Sequence, residues 1–332
     1  MHDLAGKVVM VAGGAGFVGS AVVRELLNRK SAVVCFDNYL HGDPTHVEGL
    51  AGPLKIIHGD VLDDWTLHNV IRGNDVEYII DCVGDTFVPT AYKMPGRFFD
   101  INVGGTLHML RAVQALSIKR MVYVSSTEVY GDVGDSKCTE DTPLNPVNTY
   151  AVSKAAADRL CYSYHIEHGV PVVIARIFNC YGPRETEPYV IPEIIAQLHR
   201  GARLALGNIH AARDFTFVHD TASALISVLC SDVADGTAIN IGSDTSFSVE
   251  WLAHTLAEIM QIESLEISTD PQRFRRRDIR SFRCDNRKLL RYTDWRPTVP
   301  IDEGLRITVD WFRHNGSRWS WESFVEGTTI YR

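Results

Sequence analysis

Val8-Val9-Met10-Val11-Ala12-Gly13-Gly14-Ala15-Gly16-Phe17-Val18-Gly19 is the stretch whose reading decides the fold. Residues 8–12 are an apolar run with no polar face, which predicts a strand buried on both faces of a parallel sheet. The run ends in Gly14-x-Gly16-x-x-Gly19, and Gly13 adds the wider Gly13-x-x-Gly16-x-x-Gly19 spacing. Helical spacing of apolar residues follows over 17–27. A glycine-rich turn between strand and helix lets backbone N–H groups reach a pyrophosphate, and the helix N-terminus adds its positive end. Gly13, Gly16 and Gly19, with Phe17 and Val18 at the helix start, are therefore candidate cofactor-binding positions. The alternative is a glycine turn that holds no ligand; the strand, the helix and the acid that follows them argue against it.

That acid is Asp37, which closes a second apolar run at 33–36, 18 residues after Gly19. A carboxylate about 20 residues beyond the glycines accepts the 2′- and 3′-hydroxyls of an adenosine ribose. It repels a 2′-phosphate, and no Arg follows it directly, so NAD is favoured over NADP. Asn38, next in sequence, and Asp60-Val61, at a later strand end, are further candidates for the adenosine side; for Asp60 a plain turn is the competing reading. Strands are expected again at 56–58, 77–82, 121–124 and 172–175, with helices at 65–72, 97–116 and 149–167. Strands alternating with helices imply right-handed crossovers and a parallel sheet covered on both faces. The expected fold is α/β: a Rossmann-type doubly wound parallel sheet over residues 1–177. A smaller C-terminal substrate-binding part, 178–332, contains helices at 192–200, 221–230, 249–260 and 301–312. No repeat or low-complexity linker divides the two parts, so they are expected to interleave.

With 332 residues, 45% hydrophobic and 22% charged, the chain can bury a large core. A net charge of −8 argues against general nucleic-acid binding, which needs a basic surface. The seven cysteines (35, 82, 138, 161, 180, 230, 284) include no C-x-x-C pair, so neither a disulfide frame nor a zinc site is suggested, and no metal is expected. Reduced thiols fit a cytoplasmic protein. The first residues lead into a strand without a signal-peptide pattern, and no apolar run reaches the ~18 residues that span a bilayer.

Tyr150-Ala151-Val152-Ser153-Lys154 lies about 130 residues beyond the glycine turn. On a helix, positions four apart share a face, so Lys154 sits beside the Tyr150 phenol. A nearby ammonium favours phenolate and lowers the tyrosine pKa from its usual ~10, which suits Tyr150 to act as a general base. The spacing alone is common on surface helices. Its context is the strand at 121–124, which runs into Ser125-Ser126-Thr127-Glu128-Val129-Tyr130-Gly131. Ligands sit at the carboxyl ends of parallel strands, where a Ser126 hydroxyl can position a reacting oxygen against Tyr150. The competing reading is a set of strand-end polar groups that satisfy backbone.

Together the glycine turn, Asp37, the 125–131 stretch and Tyr150-x-x-x-Lys154 resemble the extended short-chain dehydrogenase/reductases, and within them the nucleotide-sugar epimerase/dehydratase family. The similarity runs from about Lys7 to Phe312. It includes Pro146-x-x-x-Tyr150, Ala175-Arg176-Ile177-Phe178-Asn179-x-Tyr181-Gly182-Pro183-Arg184, Arg213-Asp214-Phe215-Thr216-Phe217-Val218-x-Asp220 and Trp295-Arg296-Pro297. The resemblance implies an NAD that stays bound and is recycled, a nucleotide-diphosphate sugar as substrate, and a homodimer formed through the helices at 97–116 and 149–167. Asn179, Arg213 and Arg275 are then the expected diphosphate ligands, a task that suits a bidentate guanidinium. The resemblance likewise implies that residues 178–215 hold the nucleotide base. One departure is Asp81-Cys82-Val83-Gly84, where the family has a Leu/Ala-Ala-Ala-like run. Cys82 is read there as a small buried hydrophobe without a redox role.

The resemblance also implies a shared first step. Tyr150 takes the proton of the sugar C4 hydroxyl while hydride leaves C4, giving a 4-keto sugar. A 4-epimerase then turns the ketone over. A 4,6-dehydratase removes the acidified C5 proton and expels the C6 hydroxyl. A uronate decarboxylase loses carbon dioxide. Ser126, Thr127 and Glu128 fit both dehydratases and UDP-glucuronate decarboxylases, although Thr127 stands where dTDP-glucose dehydratases have an acidic Asp. The segment 206–214 resembles mannose and acetamido-sugar dehydratases, while 270–279 resembles the decarboxylases. A 4,6-dehydratase-like reaction is the expectation, with epimerase and decarboxylase as alternatives. A non-catalytic NAD or nucleotide sensor is the reading from another class; the joint presence of Ser126, Tyr150 and Lys154 argues against it. Asp37 and the long substrate segment argue against a carbonyl reductase that releases NADPH.

Overall fold

The structure, a computed structural model, describes residues 3–274 and 277–316. In its first half lie β1 (Val8–Ala12), β2 (Ala32–Asp37), β3 (Leu54–His58), β4 (Tyr78–Asp81), β5 (Arg120–Ser126) and β6 (Val172–Ile177). Between them run α1 (Phe17–Asn28), α2 (Asp64–Gly73), α3 (Val88–Ala91), α4 (Pro95–Phe99), α5 (Thr106–Ala115) and α6 (Thr149–His168). The second half adds β7 (Asn179–Tyr181), α7 (Val190–Leu198), β8 (Arg203–Leu206), β9 (Ala212–Phe217), α8 (Val218–Leu229), β10 (Ala238–Ile241), β11 (Ser246–Ser248), α9 (Val249–Ile259) and β12 (Glu266–Thr269). It closes with α10 (Arg287–Tyr292) and α11 (Ile301–Asn315).

Seven strands form one parallel sheet in the order β10-β6-β5-β4-β1-β2-β3. Successive side chains point to opposite faces of a strand, and here both faces are apolar. Val9, Val11, Val33, Cys35 and Ile80 pack with Val22 and Leu26 of α1 and Leu225 and Leu229 of α8. Met10, Ala12, Val34, Phe36 and Ile79 pack with Leu67 and Ile71 of α2, Leu110 of α5 and Cys161 of α6. The uninterrupted apolar run at 8–12 is the sequence trace of this double burial. Chain order reverses between β2 and β4 on either side of β1, so the carboxyl ends of β1, β2, β4 and β5 face one crevice, the usual ligand position in such sheets.

Beyond residue 178 the chain builds a smaller cap. Its core is Ile191, Ile194 and Leu198 of α7, Leu204, Phe215 and Phe217, Leu252 and Leu256 of α9, and Leu305 and Val309 of α11. Two later elements return to the sheet: β10 extends it beside β6, and α8 covers it beside α1. At four residues β10 is too short for a periodicity reading to find.

The expected helix over 97–116 is divided. Asp100–Gly105 is wound as a π-helix between α4 and α5. A Cβ on Gly105 would stand 2.7 Å from Val61 Cγ2, so the helix approaches the β3 side closely at a glycine. The widened turn directs Asn102 inward, where it accepts from the Asp85 amide at 2.9 Å and donates to Ser153 Oγ at 2.9 Å. Single π turns of this kind recur at functional sites. No helix among the described residues is long and apolar enough to cross a membrane.

Candidate active site

The cofactor end is built by the first two strands. Gly13 has φ +70°, and a Cβ there would lie 3.0 Å from the Cys82 carbonyl carbon. A Cβ on Gly19 would lie 2.0 Å from the Gly13 carbonyl oxygen. The turn is thus closed against the β4 end by glycine alone, with Gly16 donating its amide to the Gly13 carbonyl at 3.1 Å. Phe17 and Val18 start α1 with no side-chain cap, which leaves amides and the positive helix end available to an anion. Asp37 is buried at the end of β2 and accepts from the Ala15 amide at 2.9 Å and the Tyr39 amide at 2.8 Å. Burial raises its pKa, while these backbone donors, His41 and the Gly16 amide pull it back. Asn38 donates to Asp60 at 2.9 Å, so the two predicted adenosine-side residues meet. Val61 receives His108 on its carbonyl at 2.9 Å and abuts Gly105. The donor set fits NAD: a glycine-lined helix start for a pyrophosphate and a buried carboxylate for ribose hydroxyls.

The chemical end lies where β4 and β5 finish. Tyr150 and Lys154, both buried, come from the first turns of α6. Tyr150 packs with Val88, Ala91 and Phe98, its ring 6.3 Å from Phe98 and edge-on to it. Lys154 Nζ donates to the Val124 carbonyl at 2.6 Å and lies 4.6 Å from the centre of the Tyr123 ring. Burial pushes the Lys154 pKa down to about 8, against the upward pull of the Asp81 charge. Burial pushes Asp81 up to about 6, against the Val83 amide and Lys154. At neutral pH the ammonium therefore persists, poised close to losing its proton. A Cβ on Gly84 would be 3.6 Å from Lys154 Nζ and 3.3 Å from Asn102 Oδ1, so the departure at 81–84 keeps this passage narrow and glycine-lined. Cys82 is half-buried, and burial takes its thiol well above the normal range, which makes it inert.

Ser126 ends β5 and accepts the Glu128 amide at 3.2 Å, capping the short turn Thr127–Tyr130. Thr127 Oγ1 is buried and has no hydrogen-bond partner among the described residues. Glu128 is buried and receives Asn148 Nδ2 at 3.1 Å, while Asn148 Oδ1 caps α6 at the Ala151 amide, 2.8 Å away. One asparagine thus ties Glu128 to the helix start that carries Tyr150. A buried lattice holds the turn from below. Arg176 grips Asp158 with two bonds of 2.9 and 3.0 Å and reaches Tyr130 Oη at 3.0 Å; Tyr130 donates to Asn240 at 2.6 Å.

On the substrate side, Asn179 opens β7 and pairs with Phe215 of β9, so Arg213, also on β9, stands near it. Arg213 donates to the Ala212 and Ile279 carbonyls, both at 2.9 Å, lies 3.4 Å from Asp278 and stacks over Phe282 at 5.4 Å. Its guanidinium is held by protein groups. Arg275 lies outside the described residues. Sequence reading passed over His41, Asp85, Arg97, Glu187 and Tyr189, which gather in one group. The alternation Glu185-Thr186-Glu187 in a glycine- and proline-rich stretch was the available signal, since carboxylates held in a buried loop require partners.

Comparison with known proteins agrees with this geometry. The chain matches the family described as GDP-mannose 4,6 dehydratase over residues 10–308. A GDP-6-deoxy-D-mannose reductase of Pseudomonas aeruginosa is 37% identical over 243 residues, 70% of this chain and 79% of the relative. A UDP-N-acetyl-alpha-D-glucosaminuronate decarboxylase of Bacillus cytotoxicus is 30% identical over 321 residues, 92% and 98% of the two chains. A solved dTDP-glucose 4,6-dehydratase of Streptomyces venezuelae with NAD bound superimposes with a TM-score of 0.85 at 29% identity, covering 93% and 97%.

Proposed function

The chain belongs to the GDP-mannose 4,6-dehydratase family of NAD-dependent nucleotide-sugar enzymes, and we propose that its own reaction is a 4,6-dehydration of a nucleotide hexose. The observation that carries this reading is the Asn148 bridge, which joins Glu128 to the first turn of the helix bearing Tyr150. It supports placing a second base beside the C4 oxidation centre, as C5 chemistry requires. Tyr150 takes the C4 hydroxyl proton, with the Lys154 charge favouring its phenolate. When bound, NAD accepts the C4 hydride and later returns it to the sugar. Glu128 removes the C5 proton made acidic by the ketone, and the C6 hydroxyl leaves as water. Ser126 orients the C4 oxygen. Thr127 offers its unpartnered hydroxyl to the departing oxygen; it is a weaker acid than the Asp of related dehydratases.

Asn179, Arg213 and Arg275 are proposed to meet the diphosphate, Arg213 after releasing part of its hold on Asp278. The large hydrophobic residues exposed around α4 and α6 (Phe99, Val152, Tyr162 and Ile166) support a homodimer through these helices. Seven unbonded cysteines support a reducing, cytoplasmic setting. The test is a panel of UDP-, GDP- and dTDP-hexoses and uronates analysed by mass spectrometry. A 4-keto product lighter by one water supports the reading, and conversion of uronates alone would replace it with decarboxylation.

A further inference from the structure

His41 lies four residues beyond Asp37, and its ring sits between two carboxylates from different loops. Nε2 is 3.5 Å from Asp85 Oδ1, and Nδ1 is 3.5 Å from Glu187 Oε1. The other oxygen of each acid is already held. Arg97 Nε donates to Asp85 Oδ2 at 2.5 Å, and Thr86 donates to Glu187 Oε2 at 2.9 Å. Tyr189 stands 2.5 Å from Thr86 Oγ1, edge-on to Phe87. Asp85 and Glu187 are buried, and the oxygens facing His41 have no other hydrogen-bond partner among the described residues. The three ligand atoms lie within 4.8 Å of one another, the spread of a loose metal site. The guanidinium on Asp85 already brings a positive charge to the group, which makes a divalent ion a poor occupant. Burial works to lower the His41 pKa, but Asp85 and Glu187 together hold it above its ordinary value, with Arg97 opposing.

The three segments joined here serve different ends of the site. The loop bearing His41 is shaped by Asp37, the candidate ribose ligand. Asp37 Oδ1 accepts the Tyr39 amide at 2.8 Å, and a Cβ on Gly42 would meet the same oxygen at 2.8 Å. Asp85 follows Gly84 on the passage beside Lys154. Glu187 and Tyr189 belong to the stretch after β7 that leads into α7, and Tyr189 lies edge-on to Phe87, the neighbour of the Val88 that packs against Tyr150. A contact that moves the Asp37 loop therefore moves the stretch beside the catalytic tyrosine.

We propose that His41 is a positioning residue that couples the two ligands: the cofactor loop, once ordered on the ribose, presents its imidazole to Glu187 and fixes the 185–189 stretch over the sugar. The proposal rests on the nucleotide-sugar reading of the crevice. Coupling of this kind is reciprocal, so NAD and sugar nucleotide raise each other's affinity by the same factor.

The test uses the full chain stripped of NAD, with NAD binding measured by calorimetry in the absence and presence of the sugar nucleotide found by the product panel. Wild type is expected to bind NAD about tenfold more tightly when the sugar nucleotide is present. His41→Gln keeps about the size of the side chain and removes the imidazole that faces both carboxylates. It is expected to bind NAD alone within about threefold of wild type, which shows that it folds, while losing most of the tenfold factor. Its KM for the sugar rises by a similar factor and its kcat stays within a few-fold. Glu187→Gln should behave alike, and the double variant should lose no more than either single one, because both break one contact. The proposal is overturned if wild type shows no coupling, if His41→Gln retains it, or if the two losses add. If no nucleotide sugar binds wild type at all, the functional reading fails first and the coupling with it. A failed coupling alone leaves the product panel unchanged.

Discussion

Lys154→Met is expected to stabilise the protein while disabling it. Nζ is buried and donates to the Val124 carbonyl at 2.6 Å, with Asp81 as the nearby opposing charge. Burial brings its pKa from 10.5 to about 8. At about 1.4 kcal/mol per pKa unit, holding the charge inside costs about 3 kcal/mol at pH 7. Methionine fills the same volume without charge. Loss of the bond to Val124 takes back about 1 kcal/mol, leaving a net gain of about 2 kcal/mol and a melting temperature a few degrees higher. The sign reverses with pH. Between about 8 and 10.5 the unfolded chain still binds the proton that the folded chain has lost, so wild-type stability rises through this window. The advantage of the variant should therefore shrink to nothing by the top of it. Thermal melts of both proteins at pH 7 and at stepwise higher pH provide the assay, with turnover expected to fall at least ~10²-fold at pH 7. A methionine variant that melts below wild type at pH 7, or whose advantage does not decline with pH, would refute the buried-charge argument.

Tyr150→Phe should fold normally and lose at least ~10²-fold in turnover, measured as formation of the 4-ketone; retained activity would remove Tyr150 from the chemistry. Glu128→Gln should still reduce bound NAD when sugar is added but stall before C5 exchange, as followed by NADH absorbance and by deuterium uptake. Arg176→Ala removes two bonds from the buried Asp158 carboxylate, which keeps Arg159 and Ser125, and should cost about 1–3 kcal/mol in urea denaturation, with a change near zero as the contrary result. Gly19→Ala places a Cβ 2.0 Å from the Gly13 carbonyl, so a destabilisation of about 1–3 kcal/mol and a protein purified without NAD are expected.

What was legible in the sequence is what repeats or what glycine enforces. The apolar run at 8–12 and its successors gave six parallel strands, because strands buried on both faces leave no polar residues to interrupt them. Gly13 and Gly19 were legible because no side chain fits where they stand. Asp37, Ser126, Tyr150 and Lys154 could be placed because each sits at a strand end or an early helix turn whose position the pattern fixes. β10 escaped notice because four residues carry too little periodicity, and because its partner β6 lies more than sixty residues away in sequence. The π turn at 100–105 was hidden because its cause, the approach to Val61, is tertiary. The His41–Asp85–Arg97–Glu187 group joins three loops and the helix α4 from four places in the chain, and no local spacing encodes such a meeting. Arg213 is a candidate diphosphate ligand by its motif, while its hold on Asp278 depends on the return of the 277–280 segment, which sequence does not position.

The most direct test of the account is to run the reaction in deuterium oxide on the nucleotide hexose that the panel selects and to weigh the product. Proton removal from the C4 hydroxyl by Tyr150 with hydride transfer to NAD, followed by C5 proton removal by Glu128, predicts a 4-keto sugar lighter by one water, with one solvent deuterium at C5. A product of unchanged mass with no carbon-bound deuterium would contradict it.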